Sequence, residues 1–156
     1  MKQFGIIKGG VFMDMVGRRV EATKVSLDEF RNVVNKTFHQ TAVDALGMFN
    51  VFTAEYLRPN QIEMVETFML MGSPLLLIQE KGEQKMVALD PEYDTPKEDL
   101  DRDIQKTYLE NVKLFAVSKE AQPYVAKFKF TRGNNKETFG EQSYSWILFK
   151  GISRID

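Results

Sequence analysis

The chain has 156 residues, the ordinary size of one domain, and its 43% hydrophobic and 28% charged content is that of a soluble globular protein rather than a disordered one. It contains no cysteine and one histidine, which excludes disulfides, zinc–thiolate centres, thiol nucleophiles and histidine-cluster metal catalysis. The net charge of −1 hides a split: residues 80–111 hold 5 basic and 10 acidic side chains (−5), and residues 112–156 hold 8 and 4 (+4). The start Met1-Lys2-Gln3-Phe4-Gly5 lacks the apolar run of a signal peptide, and no stretch approaches the ~20 apolar residues of a membrane span. These features predict a soluble, cytoplasmic protein with no membrane contact.

Phe4–Lys8 and Val11–Met15 read as two short strands joined by Gly9-Gly10, a pair suited to the positive φ angles of a tight hairpin turn. The glycine pair is not followed by a phosphate-loop pattern. Val20–Val25 reads as a further strand. Ser26 with Glu29 then forms a capping box. From there Leu27, Phe30, Val34, Phe38, Ala42, Ala45, Phe49, Phe52 and Tyr56 recur at steps of three and four, predicting one long helix over 26–57 with a bend near Gly47. Asn60 is placed to cap a shorter helix through Met71, with Ile62, Val65 and Met69 on one face.

Leu75–Ile78 is apolar at consecutive positions, as in a strand buried on both faces, and Met86–Leu89 is its hairpin partner across Lys81-Gly82. Thr95, Pro96 and Glu98 start a third helix, running to about Asn111 with Leu100, Ile104 and Tyr108 on one face. Val112–Ser118 reads as a strand. Tyr124, Ala126, Phe128 and Phe130 alternate with Lys127, Lys129 and Thr131, the pattern of a half-exposed strand with a basic face. Tyr144–Lys150 is the last strand. The expected fold is a single α+β domain over 1–156, with a mainly antiparallel sheet of about six to eight strands packed on one long helix and two shorter ones.

Candidate chemistry is sparse. The acids Asp90, Glu92, Asp94, Glu98, Asp99, Asp101 and Asp103 lack the glycine and spacing of a calcium loop, and several belong to a helix start, where the dipole favours them. His39 has Asn35 and Val43 as its i−4 and i+4 neighbours, so no acid orients it. Asp14, Glu55, Glu63 and Glu66 are available for two-carboxylate chemistry, but their spacing selects no pair. No metal and no cofactor is expected.

The leading functional reading is a non-catalytic binding protein working through protein–protein contacts, with a partner protein or by self-association. Its expected interface is Met48, Phe49, Phe52, Tyr56, Met64, Phe68 and Met71, since flexible methionines and aromatics suit contact surfaces. The composition suits a small phage or bacterial accessory protein. The alternative is binding of single-stranded nucleic acid through Lys127, Lys129, Arg132 and Lys136 in the C-terminal hairpin. A carboxylate-based enzyme is third.

Overall fold

The apolar runs Leu75–Ile78 and Met86–Leu89 sit at the centre of the fold. In the computed structural model, which describes residues 9–13, 19–26, 28–29, 40–71, 73–93, 99–131 and 146–156, they belong to β4 (Ser73–Glu80) and β5 (Glu83–Glu92). Lys81 and Gly82, with φ of 52° and 79°, form the two-residue turn between them, as the sequence predicts. Alternate residues point to opposite faces, and both faces are covered. Leu76, Ile78, Val87 and Leu89 lie in one core layer; Leu75, Leu77, Met86 and Ala88 lie in the other.

Around this hairpin the sheet extends to seven strands in sequence order, adding β1 (Gly9–Met13), β2 (Arg19–Val25), β3 (Glu63–Leu70), β6 (Gln122–Thr131) and β7 (Trp146–Arg154). The β5–β6 pair is parallel and the other pairings are antiparallel. A parallel pair needs a crossover, and α2 (Asp99–Ser118) supplies it. Tyr108, Val112, Phe115 and Ala116 of α2 pack on the layer of Leu75 and Met86. On the opposite face, Ala45, Met48, Phe49 and Phe52 of α1 (Gln40–Phe52) pack on Leu76, Val87, Phe128 and Phe130.

This architecture corrects the expected one long helix and two shorter ones. The described residues hold two helices of 13 and 20 residues, on opposite faces of a mixed sheet, so the fold is α+β overall. Ser26 Oγ accepts the Glu29 N–H at 3.0 Å, one half of the predicted capping box. Residues 30–39, including His39, lie outside the described residues.

Three elements differ from their sequence reading, each for a physical reason. Ile62–Met71 is not a helix, because the chain leaves α1 through a π-helical turn, Thr53–Leu57, and then a left-handed residue, Gln61 (φ 54°). Pro59 has no N–H to give and its ring crowds the carbonyl four residues back, so the turn widens and Arg58 N–H bonds Thr53 O at 3.0 Å. Asn60 Nδ2 donates back to Tyr56 O at 2.7 Å, finishing the first helix instead of starting another. Beyond it, the nearly all-round apolar residues Phe68 and Leu70 face one layer and Met69 the other, as in a strand covered on both faces.

Val112–Ser118 is the end of α2, since Tyr108, Val112, Phe115 and Ala116 continue one helical stripe and burial on it outweighs the β preference of valine and phenylalanine. The helix closes at Glu120 (φ 56°), with Ala121 N–H on Ala116 O at 2.9 Å and Glu120 N–H on Val117 O at 3.1 Å. Finally, Gly9 and Gly10 are not a turn: they pair with Thr23 and Ala22 inside the β1–β2 ladder.

Candidate functional site

The best-developed polar cluster lies on the α1 face, where the π-helical turn meets the β4–β5 hairpin. The turn's widened backbone presents Tyr56, whose ring stacks on Phe52 (5.2 Å) and meets Phe149 edge-on (5.9 Å). Across the hairpin Glu80 stands opposite Glu83, and Lys85 is its diagonal neighbour on the same face. The Tyr56 hydroxyl donates to Glu80 Oε1 at 2.6 Å, and Lys85 Nζ donates to the same oxygen at 2.9 Å. Lys85 Nζ also sits 4.6 Å from the centre of the Tyr124 ring, whose hydroxyl donates to Glu83 at 3.3 Å. The Lys85 and Glu80 side chains are only 14% and 15% exposed.

The electrostatics fix the protonation of Tyr56, Glu80 and Lys85. Burial alone would raise Glu80, but the hydrogen bonds from Tyr56 and Lys85 outweigh it and hold the carboxyl below its ordinary value. Burial alone would lower Lys85, but the hydrogen bond and charge of Glu80 hold it above. Burial, then the Glu80 hydrogen bond and charge, raise the Tyr56 hydroxyl far above the ordinary tyrosine value. At neutral pH the set is therefore neutral tyrosine, carboxylate and ammonium. None of the three titrates near 7, where a general acid or base is most effective. The arrangement pins the end of α1 to the central hairpin.

A second polar contact lies elsewhere on the same face. The Tyr93 hydroxyl donates to Oδ2 of the buried Asp44 at 2.8 Å, and its ring leans on Phe130 at 5.1 Å. Sequence reading missed both sets, because their members come from separate elements; the Glu80–Lys85 pair alone could be found, from the hairpin register.

The residues nominated from sequence do not form one surface. Met48, Phe49 and Phe52 are buried under α1, with Tyr56 and Met64 half-buried against the same layer. Phe68 is buried on the opposite face, and Met71 is exposed. Lys127 and Lys129 are exposed on β6, while Arg132 and Lys136 lie outside the described residues. Of the acids, Glu55 and Glu63 are exposed, Glu66 is 3.7 Å from Lys24, and Asp90 Oδ1 accepts from Gln105 Nε2 at 2.9 Å. Among the described residues no three acids or histidines gather as metal ligands, and no helix is long and apolar enough to cross a membrane.

Among the described residues, part of the sheet beside α2 is exposed. Lys127 and Lys129 alternate with the buried Phe128, so they point to the α2 side of β6. Leu148 on β7 pairs with Lys129, shares its face, and is 54% exposed. Comparison with protein-family models, curated proteins and solved structures returns no match.

Proposed function

We propose that the chain is a non-catalytic binding protein that acts through protein–protein contacts, made by the sheet surface of β6 and β7 beside α2. One observation carries the reading: Leu148 lies more than half exposed beside Lys129 on the sheet face that α2 shares. An apolar anchor ringed by polar groups is the usual make-up of a contact patch. The Tyr56–Glu80–Lys85 cluster supports the non-catalytic half, since its groups are engaged with one another and hold their protons far from neutrality.

The test is the size of the protein at native level in the cells that make it. A complex larger than the 18.0 kDa chain is expected, and Leu148→Asp is expected to release the chain as a folded monomer. A wild-type chain that runs as a monomer, or a complex indifferent to Leu148→Asp, overturns the assignment.

A further inference from the structure

We infer that Met71 is a site of reversible oxidation, at which hydrogen peroxide converts the thioether to a sulfoxide that the buried amide of Asn111 then binds. Met71 follows the last residue of β3 and takes a left-handed φ of 51°, where Leu70 and Ser73 pair across the turn to β4. Residues with a Cβ seldom take that conformation. Lys81 takes it at the matching point of the β4–β5 turn (φ 52°) and is exposed there. Met71 is exposed too (47%), yet its sulfur turns back to α2 and lies 3.2 Å from Asn111 Nδ2. Of Met48, Met64, Met69, Met71 and Met86, it is the one that is exposed; Met48 and Met86 are buried, and Met64 and Met69 half-buried. An oxidant dissolved in water therefore reaches Met71 first among these five.

Asn111 decides what the product does. It is buried, its Oδ1 has no hydrogen-bond partner among the described residues, and its Nδ2 donates to a thioether, a weak acceptor. A buried amide so placed gains from any stronger acceptor. In the reaction a sulfur lone pair attacks one peroxide oxygen, and the S–O bond forms as the O–O bond breaks. The sulfur loses two electrons, and the released hydroxide takes the proton of the transferred hydroxyl and leaves as water. The sulfoxide oxygen then stands beside the amide donor, and the exposed side chain has room to draw back toward solvent to fit it. Oxidation of a buried methionine sets a polar group among apolar ones and disrupts the core. At Met71 it supplies the acceptor that a buried amide lacks, so it fastens the β3–β4 turn to α2. The same exposure leaves the sulfoxide open to enzymatic reduction back to the thioether.

The experiment treats the purified chain with limiting hydrogen peroxide and isolates the species oxidised at Met71, identified by peptide mass spectrometry. Its melting temperature and the side-chain amide NMR signals of Asn111 are then compared with those of the untreated chain. The Met71 sulfoxide is expected to melt about 2–4 °C higher, the shift that one added hydrogen bond gives in a chain of this size. The Asn111 amide protons are expected to move downfield, and methionine sulfoxide reductases to restore both readouts. The gain should vanish in Asn111→Leu. Without any oxidant, Met71→Gln, whose amide oxygen stands in for the sulfoxide, should melt above Met71→Leu. If Asn111→Leu does not fold, the NMR shift and the Gln–Leu comparison decide the matter. A sulfoxide that lowers the melting temperature, Asn111 signals that do not move, or a gain that survives in Asn111→Leu overturns the inference. So does oxidation of Met64 and Met69 ahead of Met71, or a sulfoxide that the reductases leave in place.

Discussion

Beneath α1, the buried and half-buried polar side chains reach one another: Tyr56 with Glu80 and Lys85, and Tyr93 with Asp44. Beneath α2, two buried polar atoms, the Tyr108 hydroxyl and Asn111 Oδ1, have no hydrogen-bond partner among the described residues. Asn111 is 1% exposed, and its amide nitrogen donates to the Met71 thioether, a weak acceptor, at 3.2 Å. Burial first, and then the Asp90 carboxylate, raise the Tyr108 hydroxyl far above its ordinary value, and the neighbouring Ser73 side chain moderates the shift. The two layers thus hold similar polar groups with opposite consequences. A satisfied hydrogen bond contributes about 1 kcal/mol, whereas an orphaned buried group costs about 1–3 kcal/mol. The α1 layer uses its polar groups to fix where the helix ends; the α2 layer relies on apolar packing and tolerates the loss.

The largest effects test that packing directly. Phe52→Ala removes a fully buried ring that contacts Tyr56, Phe128 and Phe149, and a loss of about 3–5 kcal/mol is expected in denaturant unfolding. Phe115→Ala, which empties the place beside Phe68 in the other layer, is expected to fall in the same range. A much smaller loss at Phe115 would mean that the α2 layer is already loose around its orphaned groups.

Next comes the ion pair. Lys85→Met strips Glu80 of its cation in a site that is mostly closed to water, and a loss of about 1–3 kcal/mol is expected, below that of a fully buried pair. The pH dependence follows from the directions. Glu80 titrates below the ordinary 4.5 in the folded chain, so its contribution is complete above that value and fades as acid takes the pH through the lowered one. Lys85 and Tyr56 are raised, so theirs is complete below about 10 and fades as alkali is added. Glu80→Gln should flatten the acid limb of the stability profile; an unchanged limb would show that the pair is no tighter folded than unfolded.

A matched pair of smaller changes sharpens the contrast between the faces. Tyr56→Phe deletes a hydroxyl bound to a carboxylate and should lose about 1.5–3 kcal/mol. With about 2–4 °C of melting temperature per kcal/mol in a chain of this size, calorimetry resolves it. Tyr108→Phe deletes an orphan and should leave stability unchanged or raise it by up to about 1 kcal/mol. If Tyr108→Phe destabilises as much as Tyr56→Phe, the hydroxyl has a partner, and the two layers are alike.

The same contrast explains what could be read from sequence. The central hairpin was legible because Leu75–Ile78 and Met86–Leu89 are apolar on both faces and a two-residue turn separates them. The Ile62–Met71 strand was not, since residues apolar all round fit a buried helix as well as a buried strand. What decided it was Pro59, which widened the preceding turn, and Asn60, which capped backward. The end of α2 was misjudged because Val112 and Phe115 favour strands locally and only their register with Tyr108 keeps them helical. The Tyr56 cluster joins residues 24 positions apart, a distance that no local pattern spans. Leu148 and Lys129 were legible as residues of alternating strands, but their shared open face depends on where α2 lies.

The smallest expected effect concerns how α1 is held against the sheet edge. Gly47 lies where the helix crosses β7, and a Cβ there would come 2.5 Å from Ile147 Cδ1. Alanine would gain about 1 kcal/mol of helix preference and lose a similar amount by displacing the isoleucine tip, so Gly47→Ala should change stability by less than about 1 kcal/mol. The informative quantity is its coupling with Ile147→Val, which alone should cost about 0.5–1.5 kcal/mol. The shorter valine makes room for the new methyl group, so the double variant should be more stable than the sum of the single changes predicts. Strict additivity would mean that α1 does not press on Ile147. The helix and the turn after it would then hold β7 through the aromatic contacts of Phe149 with Phe52 and Tyr56, and a charge at Leu148 would be expected to loosen the strand as well as any complex built on it.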